Sequence, residues 1–265
     1  MNALTAIIEK EAAHVTRRRF FFAAALVFMA SVAITYALHR SMSSMNEIPM
    51  PGGWMLSPTF TPMCGRTWLR AAASFIGMWI AMMTAMMLPS FAPFLWRYRA
   101  MLERAGSTRV TRRSLIMATA YFGVWTALGI AVFALGTLFT EVTMRAASIA
   151  RCVPLASGGV LLLAGAYQRS NWHGHLLACC RSVAEPHIAA WRDGMCHGLH
   201  CIACCAGLTA ALLVFGVMEP HTMALVTLAI TAERLLPSGM HVGRVIGIVL
   251  VLLGCMAIVA AAMVR

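Results

Sequence analysis

Seven stretches of roughly 17 to 25 residues, at about 20–39, 71–95, 114–139, 152–168, 196–218, 222–236 and 244–264, are apolar almost throughout. Each approaches the length that a hydrocarbon layer of ~30 Å demands of a helix. Backbone polar groups inside such a layer must be satisfied within the protein. The pattern therefore predicts an all-α, polytopic transmembrane helix bundle of about seven spans. The runs at 152–168 and 222–236 are short, so six spans plus a re-entrant segment is the alternative. A chain that is 60% hydrophobic and 11% charged lies outside the range of soluble domains.

Charge supplies the orientation. With the N-terminus in the cytoplasm, only Arg40, Arg66, Arg70, Arg145, Arg151 and Arg265 fall outside, and the other basic residues fall inside, as the positive-inside rule requires. The net charge of +12 is thus topological. A nucleic-acid partner would need a basic folded face, and the pattern contains none. The first apolar run follows Arg17, Arg18 and Arg19 without a small-residue cleavage site and reads as a retained helix. Residues 1–19 read as a cytoplasmic lead, amphipathic on anionic lipid or simply a charged tail. Residues 20–265 read as one transmembrane domain.

Soft donor atoms are concentrated on this scaffold. Cys196-His-Gly-Leu-His-Cys-Ile-Ala-Cys-Cys205 opens the fifth run. At ~100° per residue His197, Cys201 and Cys204 lie within a sector of ~60°, which His200 and Cys205 widen to ~140°. In the second run Met78, Met82 and Met86 share a face with Trp79, and Met83 and Met87 adjoin it. Such a stripe serves either core packing or soft-metal binding. Pro89 and Pro93 should kink or widen that helix. Glu233, an acidic group within a span, must be paired, protonated or bound to an ion. Counting residues from the inner ends of antiparallel helices places Glu233 level with His197 and Cys201, and Met86 level with Cys205.

An outer loop at 41–68 carries Met42, Met45, Met50, Met55, Met63 and Cys64. Its prolines and glycines preclude a long helix. Its thioethers suit Cu(I), or else they pack at the bilayer interface. A disulfide between Cys64 and Cys152 is possible, since both approach the outer side in this topology. His173, His175, Cys179, Cys180 and His187 fall in an inner loop after the fourth run, with a spacing that matches no zinc template.

The combination Trp79-x2-Met82-x2-Ala85-Met86-Met87-x-Pro89-Ser90, Tyr167-Gln168, Cys180-Arg181, Arg192-x-Gly194-x2-His197-Gly198-x2-Cys201-x2-Cys204-Cys205, Gly216-Val217-Met218 and Glu233 resembles an uncharacterised bacterial family of predicted metal-binding integral membrane proteins, over about residues 75–240. That resemblance implies a multi-pass protein of the bacterial inner membrane with a metal site. The chain departs from the family pattern, which has Cys at the position of Leu176, Lys near His173, Trp at Ala206, Asn at Glu219 and Lys at Arg234.

The expected site comprises His197, Cys201, Cys204, Cys205, Met82, Met86 and Glu233. Its expected ion is copper, with zinc second. Three functions are compatible with these residues. The first is transport or delivery of a soft transition metal such as Cu(I), with the lipid bilayer, the metal ion, and a metallochaperone or membrane subunit as partners. The second is a metal-dependent membrane oxidoreductase using Glu233 for protons. The third is a structural or assembly subunit whose cysteines merely pack.

Overall fold

The computed structural model describes residues 3–42, 48–56, 60, 67–182, 189–216 and 219–263. Among these, eight helices account for nearly all of the chain: α1 (Ala3–Met42), α2 (Trp68–Arg104), α3 (Val110–Arg145), α4 (Ala147–Arg169), α5 (Asn171–Arg181), α6 (Ala190–Phe215), α7 (Pro220–Leu235) and α8 (Gly239–Met263). A hairpin of β1 (Ile48–Met50) and β2 (Trp54–Leu56) lies between α1 and α2.

Six helices are long and apolar enough to cross a membrane: His14–Arg40 within α1, and α2, α3, α4, α6 and α8. The fourth apolar run belongs to a full span, because α4 begins at Ala147 and continues through Pro154. The sixth apolar run forms α7, which has 16 residues, or ~24 Å at the rise of an α-helix, and is not among the six. α7 lies against α2, α5, α6 and α8. α1 runs from Ala3 to Met42 without interruption. α2 likewise continues through Pro89 and Pro93, and the Ser90 hydroxyl donates to the Met87 carbonyl at 3.0 Å in the turn where Pro89 contributes no N–H.

The hairpin replaces part of the expected outer loop. Gly52 and Gly53 take φ of 109° and 75° in its turn, a region open to glycine at little cost. Trp54 Nε1 donates to Ala150 O at 2.9 Å and anchors the hairpin on the start of α4. Met50 is half-buried and Met55 exposed. Met45, Met63, Cys64 and His187 fall outside the described residues, as does the side chain of Met42.

Lipid is as apolar as leucine, so helices in a membrane associate through close backbone approach and polar contacts. α4 and α8 use the first device: a Cβ on Gly165 would lie 2.6 Å from Gly247 O, and one on Gly254 would lie 2.9 Å from Gly158 O. Replacing Gly165 by Ala should therefore separate these helices despite the better helix propensity of alanine. The expected loss is ~1–3 kcal/mol, read as a lower midpoint of thermal unfolding in detergent. An unchanged or raised midpoint would contradict this packing.

The core of the bundle is aromatic and thioether-rich. Met78, Met82, Met83, Met86 and Met87 are all buried in one cluster with Phe75, Trp79, Phe91, Tyr121, Trp125, Cys201 and Cys205. Trp79 Nε1 donates to Trp125 O at 2.9 Å, and its indole occupies the space above Gly129, where a Cβ would collide with it. Both faces of the methionine stripe are thus buried.

Candidate metal centre

The centre is assembled where α6 passes between α3, α5 and α7. Close approach to α3 depends on two glycines one turn apart. A Cβ on Gly194 would overlap Met117 O, and one on Gly198 would lie 3.0 Å from Val124 Cβ and 3.3 Å from Tyr121 O. The missing side chains let α6 lie on α3, and Tyr121 reaches Cys201. The tyrosine hydroxyl and Cys201 Sγ are 2.9 Å apart, in a hydrogen bond that either group can donate. Tyr98 donates to Asp193 Oδ2 at 2.8 Å and ties the start of α6 to α2.

Cys201 and Cys205 share one partner from α7. Arg234 Nη2 donates to Cys201 Sγ at 3.0 Å and to Cys205 Sγ at 3.2 Å. Cys201 is fully buried and Cys205 almost so, at 2% exposure. The two sulfurs therefore flank a cationic nitrogen in a dry part of the protein. Arg234 is not among the residues expected at the site. Its contact with sulfur follows from depth matching between antiparallel helices together with the rotation of α7, and only the first of these is visible in the chain.

Cys204 adjoins Cys205 and also meets a further neighbour. It is buried with Leu177 and Cys180, against which Leu176 also packs. The segment carrying Cys180 is helical, contrary to its reading as a loop: α5 begins after Ser170, whose hydroxyl accepts from His173 N at 3.1 Å. That N-cap serine was the available signal. Within α5, His175 and Cys179 are exposed, whereas His173 and Cys180 are buried.

Glu233 is buried, but its carboxylate does not meet the thiols. Gln168 Nε2 donates to Oε1, and His173 Nε2 lies 3.7 Å from Oε2. Among the described residues, both ring nitrogens of His173 and Oε1 of Gln168 are buried without a hydrogen-bond partner. Gly243 of α8 leaves space at this point, since a Cβ there would lie 3.3 Å from Glu233 Oε1 and 3.4 Å from His173 Nε2. Arg181 donates to the carbonyls of Glu233 and Leu236 and satisfies the end of α7.

The remaining predicted residues are distributed as follows. His197 stacks on Phe94 with ring centroids 3.7 Å apart and lies 5.5 Å from the Tyr121 ring. Met82 and Met86 line the buried cluster that contains Cys201 and Cys205. Cys196 is exposed, and His200 Nδ1 lies 2.8 Å from Cys196 O. At the other end of α6 and α7, His221 Nδ1 and Glu219 Oε1 are 2.8 Å apart, and this hydrogen bond holds the Glu219 carboxyl below its ordinary range. Among the described residues, no three His, Cys, Asp or Glu side chains converge closely enough to cage a metal ion. Within the described residues, Cys201 and Cys205 are two buried thiols that share one cation.

The family described as copper chaperone, PpoB2, matches residues 76–257. The chain belongs to this copper chaperone family. The match takes in every residue of the candidate centre, from Met82 in α2 to Arg234 in α7. It gives a metal to the family that the sequence resemblance left unassigned. No curated protein and no solved structure matches the chain.

Proposed function

We propose that this copper chaperone family member is a multi-pass protein of the bacterial inner membrane that binds Cu(I) in transit and delivers it, with Cys201 and Cys205 as the principal ligands. The observation that carries the reading is the pair of buried sulfurs one helical turn apart, both directed at a single cationic group. Thiolates select Cu(I) among soft ions. A two-sulfur site suits an ion that accepts low coordination, whereas closed zinc sites take four ligands.

The other residues support this pair in distinct ways. Met82 and Met86 offer neutral thioethers in the same buried cluster and form a weaker station beside it. Cys204, next to Cys180, is the exchange partner on the side of α5. His197 is held flat against Phe94 and closes the aromatic side. Glu233 anchors α7 through Gln168 and His173, and so sets the position of Arg234. With the N-terminus in the cytoplasm, the thiols lie toward the inner half of the bilayer and Met50 and Met55 on the outer side. A metallochaperone or membrane partner subunit would then exchange copper with Cys180 and Cys204.

Copper content tests this assignment. Wild-type protein purified in detergent under reducing, anaerobic conditions should bind Cu(I). The Cys201→Ser, Cys205→Ser double variant should lose at least one equivalent measured by elemental analysis. Full retention of copper by that variant would remove the assignment.

A further inference from the structure

We infer that Arg234 is the counter-charge of the Cys201–Cys205 centre and makes it selective for a monovalent soft cation over a divalent one. This rests on the reading of that pair as the Cu(I) site. The inference starts from the placement of the guanidinium, which donates from one nitrogen to both sulfurs, while its Nε is buried without a hydrogen-bond partner among the described residues. Among the described residues Arg234 pairs with no carboxylate, because the nearest candidate, Glu233, directs its oxygens at Gln168 and His173. A guanidinium stays protonated in a protein. The groups that act on it are the two thiols, Tyr121 and Cys180, all of them buried, and the imidazoles of His173 and His197 also lie within its field.

Charge accounting then discriminates between ions. When a monovalent cation enters, both S–H bonds break, two metal–sulfur bonds form, and two protons leave to solvent, with no change in oxidation state. Two thiolates and one monovalent ion carry a net charge of −1, which Arg234 cancels. Each sulfur keeps lone pairs with which to accept from Nη2 after giving one to the metal. A divalent ion on the same thiolates is already neutral, so it forgoes the attraction to Arg234 that the monovalent complex gains. Isolated charge in such a setting is strongly disfavoured. Lysine keeps the charge and is the informative conservative replacement.

The test compares wild type, Arg234→Lys and Arg234→Gln, each purified in detergent under reducing, anaerobic conditions. Cu(I) and Zn(II) affinities are measured by competition with chromophoric chelators. The ratio of Cu(I) to Zn(II) affinity should fall by about tenfold or more in Arg234→Gln and stay within threefold of wild type in Arg234→Lys. A ratio within threefold of wild type in Arg234→Gln overturns the inference. A second measurement needs no variant: native mass spectrometry of the wild type in detergent with Ag(I) or Cd(II) present. Ag(I) should add one equivalent at a concentration at which Cd(II) does not; equal uptake of the two ions at equal concentration overturns the inference. Failure of the underlying reading is separate, because copper that survives in the Cys201→Ser, Cys205→Ser variant places the ion elsewhere whatever Arg234 does.

Discussion

Gly194→Ala is expected to lower stability by ~3 kcal/mol, the upper end of what overpacking costs. In an isolated helix the same change is favourable by ~0.5–1 kcal/mol, so the sign itself is diagnostic. The reason is that the new Cβ would fall on the Met117 carbonyl oxygen and 2.8 Å from Ala120 Cβ. Both obstacles are close to the α3 backbone and cannot rotate away. α6 must shift, which also separates Cys201 from the Tyr121 hydroxyl that now lies 2.9 Å away. Gly123→Ala is the control, because a Cβ there meets nothing within 4 Å. Thermal unfolding in detergent should give opposite shifts for the two variants, and a shift of the same sign in both would show that the α3–α6 contact does not depend on Gly194.

Glu233→Ala should cost about 3 kcal/mol, and Glu233→Gln clearly less. The alanine variant leaves the Gln168 amide without its acceptor and His173 without its neighbouring carboxylate, in a region where Gln168 Oε1 and both His173 nitrogens already lack hydrogen-bond partners among the described residues. Removing one member of a buried polar pair leaves the other desolvated, at a cost of ~1–3 kcal/mol for a neutral group and more for a charged one. Glutamine keeps a carbonyl oxygen to accept from Gln168. Copper bound at Cys201 and Cys205 should remain in Glu233→Gln at wild-type stoichiometry, because the carboxylate faces away from that pair. Loss of one equivalent in a folded Glu233→Gln protein would make Glu233 a ligand instead of an anchor.

Much of the architecture was legible because hydrocarbon imposes a simple length rule. The runs at 20–39, 71–95, 114–139, 196–218 and 244–264 all lie within or across helices long enough to span. α5 was not legible, since its 11 residues include two histidines and two cysteines and carry no span-length apolar signal. The bounds of α7 were legible, since it covers the run at 222–236 almost residue for residue, but apolarity alone left open whether so short a run crosses the membrane, and with 16 residues it is not among the six helices long enough to do so. The candidate site was legible as chemistry. Cysteine, histidine and methionine in the second and fifth runs announced soft donors, and helical periodicity put Cys201 and Cys204 on one face.

Periodicity could not say what each face meets. A spread of ~140° on α6 is wide enough to be divided among several neighbours, and the fold divides it: Cys201 and Cys205 look to Arg234 of α7, Cys204 to Cys180 of α5, and His197 to Phe94 of α2. The sequence by itself determined that this chain forms an apolar helical bundle with soft ligands at its centre, because span length and donor type are local properties. Only the tertiary structure decided which ligands share a partner and that the partner is a cation. Those facts depend on helix rotation and separation, which are set by where Gly194 and Gly198 admit α3 and by how Glu233 anchors α7.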